Sequence, residues 1–384
     1  MQCSWKSVVL LALASVAIQY TAIRTLSSTS YLLCPAPPTV SPVTNRAGDE
    51  YPSNSSRRLQ VLLLTTTRCG STFIGQLLNQ HQDVFYLFEP LYHVQMSIVP
   101  RIHLGADLML GASRDLLWSL FQCDLYALES YLRPAPSRHM LATMFRHSAS
   151  RVLCQEPVCP AFKANDTWEE WQCKKKCLPL NLTTASQVCK EKPYVAMKTV
   201  RVPVVGDLRP LLEDPRLNIK VIQLVRDPRG ILSSRIDTFR DLYRLWGIWQ
   251  ATGRRPHTLE TRQFSTICDD FFSSVSTALS RPAWLKGRYM LVRYEDLSRV
   301  EAWIQANTRG TSEAQAKDKY GTARDSAANA ESWRLKLPFD MVEYCQSVCQ
   351  RAMRQLGYRD ARSADQLKNM NASLVQDKTF LPFL

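Results

Sequence analysis

Two short segments of the chain carry residue types suited to binding anions. The first is Thr65-Thr66-Thr67-Arg68-Cys69-Gly70-Ser71-Thr72. It joins a run of apolar β-formers to a stretch with helical spacing whose apolar face includes Phe73, Leu77 and Leu78. A tight glycine loop with hydroxyls at a helix N-terminus aims backbone N–H groups and the positive end of the helix dipole at one point, a cradle for phosphate or a similar anion. The Walker pattern GxxxxGK[ST] and the dinucleotide pattern GxGxxG are both missing, which argues against a nucleoside triphosphatase and a classical dinucleotide fold. An ordinary strand-to-helix turn would show the same residue types. The second segment runs from Val225 through Arg226-Asp227-Pro228-Arg229-Gly230-Ile231-Leu232-Ser233-Ser234 to Arg235, again from a strand end into a helix. Arg226 can bind a phosphate through paired hydrogen bonds, and Ser234, in the first turns, can add a hydroxyl. A surface ion pair of Arg226 with Asp227 or Asp241 is the competing reading.

Both segments need strands to present them, and the chain supplies a suitable pattern. From Leu59 onward, short β-rich apolar runs alternate with amphipathic helical stretches, as in a parallel sheet with crossover helices. The strands are expected at 60–65, 84–88, 194–199, 220–225 and 289–292. Ligands of such sheets bind beyond the carboxyl ends of the strands, where both segments fall. Residues 91–192 separate the second and third strands and read as a cysteine-rich insertion on the same domain, 59–384.

With 384 residues, 45% of them hydrophobic, the chain can bury a sizeable core, and it is not a disordered protein. A net charge of +14 favours acidic ligands, whether nucleotide, nucleic acid, anionic glycan or phospholipid. Residues 7–23 form an almost uncharged apolar run between Lys6 and Arg24, at the short end of what spans a bilayer, with Trp5 and Tyr20 placed for the two interfaces. The run lacks a small-x-small cleavage site and is long for the core of a signal peptide, so an uncleaved signal anchor is expected. Residues 1–6 would be its cytosolic tail, and 24–58, rich in Ser, Thr and Pro, a lumenal stem. The flanking charges balance, so topology rests on marks downstream. Asn54, Asn165, Asn181 and Asn371 each head an N-glycosylation sequon. Twelve cysteines, with Cys154, Cys159, Cys173, Cys177 and Cys189 crowded in one polar stretch, suit disulfides in an oxidising lumen. A zinc site is disfavoured, because no CxxC occurs and no histidine lies within that cluster.

Longer stretches bear a resemblance over most of the chain. The N-terminal MQCSWKSVVLLALASVAIQYTAIRT, then FIGQLLNQHQDVFYLFEPLYHVQ, MLGASRDLL, VAMKTVRVP, DPRLNIKVIQLVRDPRGILSSR and WLKGRYMLVRYEDL resemble the Golgi carbohydrate sulfotransferases of the galactose/N-acetylglucosamine 6-O group. The resemblance implies a P-loop-like α/β fold behind a type II Golgi membrane anchor. It also implies 3′-phosphoadenosine 5′-phosphosulfate (PAPS) as sulfuryl donor, with no metal. A glycan would be the acceptor, galactose 6-hydroxyls of keratan sulfate first and N-acetylglucosamine 6-hydroxyls second. Nucleic acid is not an expected partner, and a homodimer is left open.

By the same resemblance, Arg68, Cys69, Gly70, Ser71, Thr72, Phe73 and Ile74 form the 5′-phosphosulfate loop. Arg226, Asp227, Pro228, Arg229, Gly230, Ile231, Leu232, Ser233 and Ser234 form the 3′-phosphate site. Two separated anion sites are what PAPS requires. Sulfuryl transfer, like phosphoryl transfer, depends mostly on positioning and charge neutralisation, a role for Arg68 and the loop N–H groups. The acceptor hydroxyl also needs a base. Glu89, at the end of the second strand, is the candidate; a purely structural Glu89 is the alternative, and His93 the rival base. Two departures from the family pattern stand out: Cys69 replaces a serine, and the chain runs almost directly from Tyr294-Glu295-Asp296-Leu297 to Trp303, where relatives carry an intervening short helix. They keep open a non-catalytic glycan- or nucleotide-binding paralogue; a lumenal phosphotransferase using a nucleoside triphosphate is disfavoured by the missing Walker lysine.

Overall fold

The computed structural model describes residues 58–98, 106–145, 150–163, 166, 168–177, 179–297, 330–378 and 380. The expected anchor and stem, Asn54, Asn165 and the junction after Leu297 lie outside them. Among the described residues no helix is long and apolar enough to cross a membrane. The chain divides into two units, Met1–Ser55 and Ser56–Leu384, and every described residue belongs to the second.

The main elements of that unit, in chain order, are β1 (Leu59–Thr65), α1 (Ser71–Gln80), β2 (Val84–Phe88), α2 (Tyr92–Ile98), α3 (Ala106–Phe121) and α4 (Leu182–Glu191). They continue with β3 (Tyr194–Thr199), β4 (Ile219–Val225), α5 (Pro228–Thr238), α6 (Arg244–Thr252), α7 (Arg262–Leu279), β5 (Tyr289–Arg293) and α8 (Phe339–Leu356). Each strand lies within one residue of its expected bounds. The five form one sheet in the order β2-β3-β1-β4-β5, and every pairing is parallel. A sheet buried on both faces selects nearly continuous apolar strands, which explains why β1 reads LQVLLLT and not as an alternation. In register, Leu64 of β1 sits beside Thr199 and Gln223, and Phe88 beside Lys198. The carboxyl ends of all five strands thus share one edge.

The buried face of α1 differs from expectation. It consists of Ser71, Gly75 and Asn79, whereas Leu77 is 54% exposed. Small residues win that face because β2 comes close: a Cβ on Gly75 would run into the Tyr86 hydroxyl. The apolar pattern alone does not reveal such a close approach.

Residues 91–192 form one long crossover between the adjacent strands β2 and β3. Much of its described part is short helices and turns, and three disulfides tie it together: Cys123–Cys189, Cys154–Cys173 and Cys159–Cys177. A bridge closing a loop of this length typically contributes about 2–4 kcal/mol. A fourth, Cys268–Cys349, joins α7 to α8 far from the sequence cluster.

Candidate active site

The loop between β1 and α1 turns through two left-handed residues, Arg68 (φ 76°) and Gly70 (φ 85°). Such a conformation makes backbone N–H groups converge into an anion-binding concavity. No side chain caps α1, so its N-terminus is suited to accept an external anion. Cys69 points inward and is fully buried; burial pushes its thiol up to about 11, so it is neutral at physiological pH. The thiol therefore faces the core, and anion contacts in this loop fall to the backbone and to Arg68.

The second segment opens α5. Asp227 caps the helix by accepting the Arg229 N–H at 2.9 Å, and Pro228 occupies its first turn. The resemblance implies that all nine residues from Arg226 to Ser234 belong to the 3′-phosphate site, but the structure divides them. Arg229 is 0% exposed, ion-paired to Asp227 at 2.7 Å, donating to Gln346 Oε1 at 2.8 Å and stacked on Trp333. Its guanidinium is committed to the core, as are Ile231, Leu232 and Ser233. The surface setting expected for a pairing of Arg226 with Asp227 or Asp241 is not what the structure has: Arg226 is itself buried, and Asp227 is ion-paired to Arg229.

Arg226 and Ser234 turn toward the first loop. Arg226 Nη1 donates to the Arg68 carbonyl at 3.2 Å, and Arg68 Nε donates to Ser234 Oγ at 3.0 Å. The two anion-binding segments, 158 residues apart in sequence, are joined directly. Arg235 adds a clamp, donating to the Thr67 carbonyl and to Thr66 Oγ1.

Two further residues of the site lie just after β5. The Arg226 guanidinium sits 4.6 Å from the centre of the Tyr294 ring, and a Cβ on Gly70 would run into that same ring. Glu295 accepts the Asp227 N–H at 2.9 Å and the Tyr358 hydroxyl at 2.8 Å. Burial, and then the neighbouring Asp227, push its carboxyl up to about 7. Neither residue carries a sequence signal for this role beyond its place at a strand end.

Glu89 follows β2 at φ 46°, its amide donating to the Lys198 carbonyl at 3.0 Å. That places it at the same sheet edge as the loop, two strands across, roughly 10 Å by inter-strand spacing. Its carboxylate meets Lys198 Nζ and Arg201 Nη1, each at 2.5 Å. Burial alone would raise its pKa, but the two cations outweigh burial and hold the carboxyl below the usual carboxylate range. His93 Nε2 lies 3.1 Å from the Met144 carbonyl, so that nitrogen is engaged as a donor. Among the described residues no three His, Cys, Asp or Glu side chains converge to hold a metal ion.

Two loops joined at the carboxyl edge of a parallel sheet, with a carboxylate on the same edge, are an arrangement suited to group transfer. The chain belongs to the sulfotransferase domain family, whose pattern matches residues 58–302. Over full lengths of both chains it is 57% identical to carbohydrate sulfotransferase 1 of Danio rerio and 55% identical to that of Homo sapiens. The Danio rerio alignment extends over 423 positions for the 384 residues here, so that relative has residues this chain lacks. The sulfotransferase domain from the Synechococcus PCC 7002 olefin synthase superimposes at a TM-score of 0.34 with 16% identity, covering 78% of this chain and 97% of that one.

Proposed function

We propose that the protein transfers a sulfuryl group from PAPS to the 6-hydroxyl of a sugar, galactose in keratan sulfate or a related glycan. N-acetylglucosamine is the second candidate acceptor. The observation that carries this reading is the direct joining of the two anion segments through Arg68, Ser234 and Arg226. A donor with a phosphosulfate at one end and a 3′-phosphate at the other fits a site whose halves touch. The names of the full-length relatives supply the carbohydrate acceptor.

The donor brings a sulfuryl group activated by its bond to phosphate. In the transfer, that sulfur–oxygen bond breaks as a new one forms to the acceptor oxygen. The hydroxyl proton passes to the Glu89 carboxylate, and adenosine 3′,5′-bisphosphate departs. Arg68 and the N-terminus of α1 neutralise charge growing on the departing phosphate. Arg201 and Lys198 fix the orientation of the base.

The test is incubation of the purified lumenal domain with radiolabelled PAPS and a panel of glycans; label should appear on galactose-terminated chains. A protein that binds PAPS but labels no sugar would be a binding paralogue. Arg226→Ala should weaken PAPS binding by about 1.5–3 kcal/mol, about 10- to 150-fold. Adenosine 5′-phosphosulfate, which lacks the 3′-phosphate, should bind more weakly and respond little to that substitution. If it binds the wild-type protein as tightly as PAPS, Arg226 has the wrong role here.

The same reading puts the protein in the Golgi membrane, anchored by residues 7–23, with residues 1–6 in the cytosol and the rest lumenal. Exposed Asn181 and Asn371 and the four disulfides support it. Asn54, Asn165, Asn181 and Asn371 should each carry a glycan. Glycosidase-sensitive mass shifts on membrane-integrated protein would register them, and a glycan-free chain open to protease from the cytosolic side would refute the topology.

A further inference from the structure

A cavity of about 480 Å³ opens between α3 and α7 at the carboxyl edge of the sheet. The volume suits a small organic ligand, for which pockets of about 300–1,000 Å³ are usual. Its position is the first clue to its occupant. Thr65 and Thr66, which lead into the phosphosulfate loop, line one side, and Arg201 lines another. Arg201 is one of the two cations that hold Glu89. The cavity therefore extends from the loop that would present the sulfuryl group to the arginine that grips the base.

Its lining has a definite chemistry. Asp207 and Asp270 face it, with Leu110 and Phe271 as apolar wall. The Asp270 carboxylate, half-buried, makes no hydrogen bond or ion pair within the described residues, and its charged neighbours are carboxylates, Asp269 and Asp207. Burial followed by those two charges raises its pKa to about 6. Asp207 is raised as well, chiefly by burial, with a backbone hydrogen bond from Val204 and then the charge of Arg114 partly offsetting it. Acceptor groups crowded in this way are unfavourable unless something donates hydrogen bonds to them. Solvent can supply those donors, and so can a ligand whose hydroxyls match the two carboxylates. Sugar hydroxyls are neutral donors that carboxylates accept well, and the apolar wall can take the C–H face of a pyranose ring.

We propose that this cavity seats one uncharged sugar unit of the acceptor glycan, with Asp207 and Asp270 accepting hydrogen bonds from its hydroxyls. The inference rests on the reading of the protein as a carbohydrate sulfotransferase and adds the place where the acceptor is recognised. A sulfated or carboxylated unit would meet the carboxylates of Asp107, Asp207 and Asp270, while Arg201, the cation of the lining, is ion-paired to Glu89, so the seat favours a neutral ring.

The experiment compares Asp207→Asn and Asp270→Asn with wild type, using a neutral galactose-terminated oligosaccharide and PAPS. Binding of adenosine 3′,5′-bisphosphate by calorimetry serves as the check on folding. Each substitution should raise the KM for the oligosaccharide about tenfold or more, while the KM for PAPS and the affinity for the bisphosphate stay unchanged. An unchanged oligosaccharide KM in both variants overturns the inference and leaves the sulfotransferase reading intact. So does a parallel loss of bisphosphate binding, which would assign the two carboxylates to the fold. A wild-type protein that sulfates no sugar overturns the reading of activity itself, and this inference with it.

Discussion

Glu89→Gln will bind PAPS nearly as well as wild type yet transfer sulfate roughly a hundred- to ten-thousandfold more slowly, the usual contribution of a general base. Glutamine keeps the shape and one accepting oxygen but cannot take the acceptor proton. Lys198 and Arg201 hold the carboxyl below its ordinary range. A depressed pKa keeps the base ionised to lower pH, so the acidic limb of the activity profile should fall below the usual carboxylate range. The rival account is structural: glutamine would leave two cations facing a neutral amide, and removing one partner of a buried ion pair costs about 3–5 kcal/mol. Calorimetric nucleotide binding and a denaturation curve on the same variant separate the two. Slow transfer by a folded, nucleotide-binding protein identifies a base, whereas loss of fold and binding together identifies a strut. His93→Ala should cost far less, because its Nε2 is already engaged with the Met144 carbonyl. Near-normal transfer by Glu89→Gln would remove Glu89 from the mechanism and promote His93.

Gly70→Ala should slow sulfate transfer on the order of a hundredfold and weaken PAPS binding, with little loss of overall fold. Two penalties combine at this position. Its left-handed φ of 85° costs an L-residue roughly 1–2 kcal/mol, and the added methyl would run into the Tyr294 ring. The loop can escape only by shifting away from the ring, and a displacement of about 1 Å in a positioning element is enough to cost about a hundredfold. Titration with PAPS together with a thermal melt decides the matter. Normal affinity in this variant would show that the loop does not hold the donor. A collapse of the melt without a preferential loss of affinity would make Gly70 a folding residue.

The sheet was legible because parallel strands buried on both faces leave continuous apolar runs, and such runs terminate where loops begin. Both anion-binding segments could be read for the same reason: they follow strand ends and open helices. What the pattern could not show was direction within each segment. Arg226 and Arg229 are the same residue type three positions apart, yet one turns to the loop and the other locks onto Asp227, Gln346 and Trp333. Only the partners distinguish them, and these come from distant parts of the chain. Tyr294 lies in a stretch that carries the resemblance but shows no role of its own there, because its role consists of two contacts with residues far away in sequence. The disulfide between Cys268 and Cys349 was invisible for a similar reason, since neither cysteine belongs to the cluster that announces the others. The Asp207 and Asp270 cavity left no motif at all, being assembled from α3, α7, the short helical turn Val205–Leu208 that carries Asp207, and the ends of β1, β3 and β4.

The Tyr294 ring, placed against both Gly70 and Arg226, makes the two ends of the donor site thermodynamically inseparable. A ligand group that settles Arg226 onto the ring also restrains the loop on which Gly70 lies, and the coupling free energy is the same whichever end is filled first. Penalties measured by altering the ends singly will therefore not sum when both are altered. In the proposed reaction the spent nucleotide, with a phosphate at each end, would retain the benefit of that cooperation after its sulfuryl group has gone, and its departure would then be a natural bottleneck of the catalytic cycle.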